Sequence, residues 1–560
     1  MFAAQTSRPE DRSAWILGIA AALALLVWDP AAPAADPKRA VTLLVAAAAL
    51  ASVRRRDPSP LQVPAAAPLF VAFVALGALS LAWAHGPGWT DLATLAGAAL
   101  LLAGASLRPR AEAALLARAT ATVLGGGAAL WTLLQAATGA RGLDLHGGQG
   151  NPNWLGLVLA VTLPLSLSAL LDARRGSRAE RILALLVLPQ IPALLLSQSR
   201  TAWVALAVAG AFTLADPRLP LKRNVAIALG LALGAAALLL VAPGSAARAL
   251  GGRIWIWRIA ARAAVGALPL GDGLGTFPGR FLEQQGEALA GLPTAEAARR
   301  FVNATSAHDD WLETAVETGL PGLLLLAAAI GAGIAACRRA GARAEAATLI
   351  AFAVAALADS PLRQPAVLAP VVLALASGPR TVTLSTRSRR GLPAVVAAGL
   401  LAAAALLPIA GSRWLGARLA TRARDADPNQ KVALLSRAAR VDPRSGEIAF
   451  AAGIAHLERG EPQAAIAELE RSRPALPQVA TEVALGNAQL IAGHPADAAA
   501  AYERALCLDP GSFRAHANLA VALRRLGRDD EADRHLRSAR LVWPHHRALA
   551  EIAAAMEAED

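Results

Sequence analysis

Charge is scarce in this 560-residue chain, where Asp, Glu, Lys and Arg make up 17% against 55% hydrophobic residues. Mean hydropathy is +0.44. A soluble domain carries about a quarter charged residues, so this composition excludes a soluble enzyme and calls for segments buried in lipid. Cysteine is nearly absent. Cys337 and Cys507 lie in dissimilar stretches, and two such residues cannot build the framework of a disulfide-stapled secreted protein. An excess of negative charge is lacking as well: the net charge is +13, with 34 basic and 21 acidic residues before Ser412 and 20 of each from Ser412 onward. The whole excess sits in the apolar part, where positive charge sets membrane topology rather than binding DNA.

A membrane-spanning helix needs roughly 20 mostly apolar residues. Thirteen stretches are candidates: 14–28, 40–53, 65–84, 90–107, 112–137, 153–171, 181–197, 201–215, 225–242, 313–336, 344–358, 365–378 and 392–411, of which 40–53 and 365–378 are short. Lys and Arg in short loops stay on the cytoplasmic side. Alternate connections carry 21 of them, and the short connections opposite carry five: Lys38, Arg39, Arg141, Arg200 and Arg363. An odd span count then places the N-terminus inside and the C-terminus outside. Were the first run a signal peptide, cleaved among Ala31 to Ala35, every later orientation would stand. One outward connection, Pro243 to Leu312, is 70 residues long, and loops of that length are uncommon without a task. It opens on Arg248, Arg253, Trp255, Trp257, Arg258 and Arg262, a stretch suited to the lipid interface.

After Gly411 a 34-residue period appears. Leu485, Gly486, Gly493, Ala498, Tyr502, Ala505 and Pro510 fall where the next copy has Leu519, Ala520, Gly527, Ala532, Leu536, Ala539 and Pro544. An earlier copy, one residue out of step, gives Gly453, Gly460, Ala465, Leu469 and Pro477, and a half copy gives Leu435, Ala438 and Pro443. This resembles a tetratricopeptide array, with small residues where paired helices cross and a proline closing each second helix. Such a solenoid usually holds a partner in a concave groove, though it also serves as a spacer. The expected fold is all-α: a polytopic membrane bundle of about 13 spans over 1–411, with a large outward loop at 243–312, then an α-solenoid over 412–560.

Polar residues at the outer ends of spans are the functional candidates. Gly150-Asn151-Pro152-Asn153-Trp154-Leu155-Gly156 enters the sixth span; Pro152 suits a helix start and Asn151 its cap, leaving N–H groups free for an anion. Ser197-Gln198-Ser199-Arg200-Thr201 is a tight turn centred on an arginine. Gly252 to Trp257 holds Arg253 and Trp257, and Pro269 to Phe277 is glycine-rich; without a βαβ unit those glycines are no dinucleotide loop. Ser306-Ala307-His308-Asp309-Asp310-Trp311-Leu312-Glu313 leads into Glu317-Thr318-Gly319-Leu320-Pro321-Gly322. A lone His beside carboxylates lacks the spacing of a closed zinc site.

Together and in this order, the clusters resemble the O-antigen ligase and O-antigen polymerase family of bacterial membrane glycosyltransferases. The matching features are Asn-Pro-Asn, Ser-x-Ser-Arg, Arg253 followed four residues on by Trp257, Pro-x-Gly-x-Gly, and Ala-His-Asp before Gly-Leu-Pro-Gly. They cover about Gly150 to Gly322. Asp309 stands where Asn is common, and Gly271-Asp272-Gly273 replaces a Gly-Val-Gly type. The resemblance implies transfer of a glycan from an undecaprenyl-diphosphate carrier to an acceptor hydroxyl on the periplasmic side of the inner membrane. It implies no cofactor and no metal. Arg200 and Arg253 would clamp the leaving diphosphate, His308 would be the general base with Asp309 orienting it, and Asn151, Asn153 and Trp257 would complete the substrate site. Ligation to a lipid acceptor, polymerisation of repeat units and transfer to Ser or Thr of a protein share these motifs. From other classes come a transporter of lipid-linked glycan and a membrane-tethered assembly scaffold. A transporter predicts mid-span charges, of which only Arg118 is clear, and thirteen spans are excessive for an anchor.

Overall fold

The computed structural model describes residues 9–53, 61–84, 86–215, 246–384, 391–547 and 549. These residues are almost all helical and divide into two compact units. One comprises Met1–Leu79, Trp89–Arg253 and His308–Trp414; the other comprises Ser80–Gly88, Ile254–Ala307 and Leu415–Asp560.

The first unit starts with α1 (Pro9–Leu26), α2 (Ala35–Ala51), α3 (Ala66–Ser80), α4 (Trp89–Ser106) and α5 (Arg110–Ala137). It continues with α6 (Pro152–Leu171), α7 (Arg178–Val187), α8 (Gln190–Ser197) and α9 (Arg200–Leu214). After α10 (Ala246–Gly266), α11 (Phe277–Ala290) and α12 (Thr294–Arg300), it resumes at α13 (Asp310–Arg339), α14 (Arg343–Ala355), α15 (Pro365–Ala376) and α16 (Gly391–Arg422). Helices stand at the expected spans, with α7 and α8 together covering 181–197; the stretch 225–242 lies outside the described residues. Among the described residues, six helices are long and apolar enough to cross a membrane: Trp89–Ser106, Arg110–Ala137, Pro152–Leu171, Arg178–Ser197, Asp310–Arg339 and Leu392–Arg422. Only 11% of the apolar window of the last is covered by protein, so its surface needs lipid. Four further apolar helices are shorter, and Arg200–Thr213 is one of them.

Small residues let these helices approach closely, as membrane packing requires. A Cβ on Gly125 of α5 would lie 2.5 Å from Thr162 Oγ1 of α6 and 2.7 Å from Gln190 Oε1 of α8, so glycine there admits a three-helix junction. Two short strands, β1 (Leu61–Pro64) and β2 (Arg380–Leu384), pair antiparallel with Val63 opposite Val382. α13 is broken at Gly319, whose φ of 64° and ψ of −164° are not helical. The break, with Pro321 just beyond it, separates a first arm bearing Asp310, Glu313 and Glu317 from the apolar arm.

The second unit joins the long loop to the repeats. Among the described residues the array has seven helices: α17 (Pro428–Val441), α18 (Gly446–Glu458), α19 (Pro462–Ala475), α20 (Val479–Ile491), α21 (Pro495–Leu508), α22 (Phe513–Arg525) and α23 (Asp529–Val542). Leu419 and Ala423, in the last turns of α16, pack on Ala438 and Leu435 of α17, so the half copy completes its helix pair with the end of α16. The small residues of the period are buried at the crossings: Ala498, Ala505, Ala520, Ala532 and Ala539 share one core with Tyr502 and Leu519. The loop helices belong to the same unit. Gln285 of α11 is fully buried and organises them: its Nε2 donates to the Val302 carbonyl at 2.9 Å, while its Oε1 accepts from Val302 N at 3.0 Å and Trp255 Nε1 at 3.2 Å. α11 packs on α21 and α12 on α23. A Cβ on Gly286 would overlap the Cys507 carbonyl oxygen, and one on Gly511 would overlap the Ala298 nitrogen.

Candidate active site

Helix starts position the candidate residues. Asn151 is extended at φ −154° and caps α6 by accepting from Trp154 N at 2.8 Å, with Pro152 as the first helical residue. Asn153 follows in the first turn. Its Nδ2 donates to Asp359 Oδ2, and its Oδ1 accepts from the Ser199 hydroxyl at 2.6 Å. Ser199 in turn caps α9, accepting from Ala202 N at 3.3 Å. Gln198 adopts the left-handed conformation at φ 52°, which reverses the chain after α8 and makes Arg200, half-buried, the first residue of α9.

His308 is half-buried and lies at φ 51°. A non-glycine residue in that region carries about 1–3 kcal/mol of strain and persists where its surroundings over-determine it. Asp309 supplies part of that determination: its Oδ1 accepts from Trp311 N at 2.9 Å and Leu312 N at 3.0 Å, capping α13. Burial pushes the Asp309 carboxyl above its ordinary value, and the two amides partly offset this. Within the second unit, Trp257 Nε1 donates at 3.1 Å to the carbonyl of Ala307, the residue before His308. Arg253 is half-buried on α10, one turn ahead of Trp257. The described bonds thus draw Asn153, Ser199 and Asp359 together and, separately, Trp257 and Ala307.

The carboxylates that follow Asp309 in the fourth sequence cluster form an acidic network at the start of α13 to which the sequence reading gave no role. Asp310, Glu313 and Glu317 recur at helical spacing and are buried. Arg363, in the turn before α15, meets Glu317 Oε1 at 2.7 Å, Glu313 Oε2 at 2.8 Å and Asp91 Oδ2 at 3.2 Å. Burial pulls the Arg363 guanidinium down, but Asp91, Glu313, Glu317 and Asp310 outweigh it, so the group is held charged. The Ser360 hydroxyl donates to Glu313 Oε1 at 2.9 Å, and Leu362 N to Asp310 Oδ2 at 2.7 Å. The sequence signal was the three-then-four spacing of carboxylates beside an outward arginine, a pairing that topology counting treats as a loop charge alone. Among the described residues, no three His, Cys, Asp or Glu are grouped so as to hold a metal ion.

Comparison with known proteins accords with this layout. The O-antigen ligase family model matches residues 182–327, a stretch containing Arg200, Arg253, Trp257, His308 and Asp309. A tetratricopeptide repeat model matches residues 489–555. No curated protein matches the chain. A crystal structure of MamA is 23% identical over 28% of this chain and 94% of its own, with a TM-score of 0.22. The APC/C hetero-tetramer Cut9-Hcn1 is 12% identical over 83% of this chain and 90% of its own, with a TM-score of 0.24. Likenesses at such TM-scores carry no argument about activity. By its own apolar helices and the matched stretches, the chain is a membrane protein that carries an O-antigen ligase-type stretch over 182–327 and tetratricopeptide repeats over 489–555.

Proposed function

We propose that the protein is a metal-independent glycosyltransferase moving a glycan from an undecaprenyl-diphosphate carrier onto an acceptor hydroxyl at the periplasmic face of the inner membrane. About thirteen spans over 1–411 carry the reaction, and the array over 412–560 lies in the periplasm. The acceptor oxygen attacks the anomeric carbon, and its proton passes to the His308 imidazole. The carbon–oxygen bond to the diphosphate breaks with inversion, and the bonding pair leaves on the diphosphate. Arg200 and Arg253 would meet that charge, since a guanidinium binds phosphate oxygens in pairs and stays ionised. Asp309 would hold the turn that aims His308, and Asn151, Asn153 and Trp257 would shape the substrate site around these groups.

The observation that carries this reading is the match over 182–327, which takes in both arginines and His308, with Arg200 and His308 each beside a capped helix start. The test is His308→Gln, which keeps polarity and removes basicity. It should be expressed and bind donor normally, yet turn over ~10²–10⁴-fold more slowly, as loss of a general base does. Cells carrying it should accumulate the lipid-linked donor, and chelator should leave the wild type unchanged. Full turnover by the variant would remove general-base catalysis from His308.

A further inference from the structure

We infer that the turn Asp359-Ser360-Pro361-Leu362-Arg363 is a positioning brace that fixes the Arg200 turn relative to the His308 turn. The inference rests on the transfer reading above. The turn lies beyond the stretch that matches the ligase family, and it touches both arms of the site within one compact unit.

The connection is continuous. Ser199, beside Arg200, donates to Asn153, and Asn153 donates to Asp359. The other oxygen of Asp359 accepts from Ser360 N at 2.9 Å. Ser360 then binds Glu313, Leu362 N binds Asp310, and Asp310 N donates back to the Ala356 carbonyl at 2.8 Å. Asp310 and Glu313 form the first turn of α13, immediately after His308 and Asp309. Ser199, Asp310, Glu313 and Asp359 are each at most 4% exposed, so water does not compete for these bonds.

The residue types fit the task. A carboxylate at 359 accepts on both oxygens, one for Asn153 and one for Ser360 N; an amide has a single oxygen and satisfies only one of them. Arg363 offers a planar fork that ties Glu313 and Glu317 to Asp91 of α4 at once, which a lysine ammonium does less well. A strained histidine needs such surroundings, because φ 51° relaxes unless the chain on both sides is held. The brace touches no substrate. It acts by keeping the diphosphate clamp and the base at one separation, and a misplacement of about 1 Å is enough to cost ~10²-fold in rate.

Arg363→Gln strands buried carboxylates and risks the fold, so the informative variants are Asp359→Asn and Ser360→Ala in the full-length protein in lipid. Three quantities are read for each: hydrogen exchange of the 198–203 and 306–314 backbone, affinity for lipid-linked diphosphate donor, and turnover. Faster exchange in both segments, donor affinity within about twofold of wild type and turnover down at least tenfold is the expected pattern. Unchanged exchange overturns the brace. So does faster exchange with full turnover, or a loss of turnover that only follows a loss of folded protein. If instead His308→Gln and Arg200→Ala keep full turnover, the fault lies with the transfer reading, and the exchange data still report on the brace.

Discussion

The Ser199 hydroxyl donates to Oδ1 of Asn153 across 2.6 Å, joining positions 46 residues apart where two helices begin. With its Nδ2 on Asp359, the Asn153 amide is engaged by protein on both ends. This gives Asn153 a structural duty beside any contact with substrate, and it fixes the turn that presents Arg200.

That fixed turn makes Arg200 a demanding position for substitution. Paired contacts to phosphate oxygens need a planar fork in a set orientation, whereas long-range attraction needs only charge. Arg200→Ala should weaken donor binding at least tenfold and Arg200→Lys should recover little of it, since one such charged hydrogen bond contributes about 1.5–3 kcal/mol. Arg253→Ala and Arg253→Lys should behave alike. Titration of the purified variants with lipid-linked diphosphate checks this, and recovery of wild-type affinity by Lys would reduce both arginines to point charges.

The loop helices and the repeats share interior contacts that leave no room for a side chain. Gly286 sits against the Cys507 carbonyl, and Gly511 sits against Ala298. Gly286→Leu and Gly511→Leu should each cost about 1–3 kcal/mol by overpacking. The expected sign is protease sensitivity within 277–300 and in the last repeats together, because both belong to one packed unit. Truncation after Gly411 should expose the same loop segment. Sensitivity confined to the repeats would mean that the loop holds its shape without them.

Much of the helical layout was legible because apolar runs and the 34-residue period are local signals. Leu485, Tyr502 and Leu519 are fully buried where the period put them. The span count was less legible. A helix such as Arg200–Thr213 is apolar but short, and a run of Ala and Leu does not reveal from sequence whether lipid or protein will cover it. The cap of Asn151 and the turn before Arg200 follow from residue type at neighbouring positions. The Asp359–Asn153 bond and the partners of Arg363 were not legible, since they join positions 46 to 272 residues apart; the carboxylate spacing at 310, 313 and 317 marks a helix face but not what pairs with it. The packing of α11 and α12 on the repeats escaped for the same reason: glycines at 286 and 511 look like ordinary loop or helix residues until their neighbours are known.

Acid should loosen the repeats through one histidine. His516 of α22 is buried, with Nε2 on the Pro510 carbonyl at 3.0 Å and Nδ1 2.9 Å from His535 Nδ1. Desolvation lowers its pKa to about 4, with the neighbouring His535 adding to the effect. A basic group whose folded value lies below its unfolded one leaves the unfolded chain holding more protons, so its contribution to stability is present above about 6.5 and is lost as pH falls towards 4. Asp509 opposes this, because burial raises its carboxyl to about 6 and the folded form then takes up the proton first. The clean measurement is therefore a difference: between pH 6.5 and 4 the melting temperature of His516→Gln should fall less than that of the wild type, or rise, since the opposing contribution of Asp509 is left in place. Equal dependence would place the acid response elsewhere.

Orientation gives the most exacting prediction, because two independent observations must agree. The excess of 21 to five basic residues puts the long loop and the C-terminus outside by counting. Separately, residues 254–307 and 415–560 pack into one compact unit, and a packed unit lies on one side of a bilayer. That requires an even number of spans between Ala307 and Leu415. Four stretches are read there, 313–336, 344–358, 365–378 and 392–411, and each coincides with a helix. Dropping 365–378 alone, the shortest of them, would leave three and force the loop and the repeats apart, so the packing argues for keeping it. A reporter active only in the periplasm should therefore work when fused after Asp560 and when inserted at Gly291, an open turn between α11 and α12. The same reporter placed in the Arg174–Arg175 connection should be silent. Activity at Gly291 with silence at Asp560 would show that one of the four stretches does not cross, and would set the loop and the array on opposite faces of the membrane.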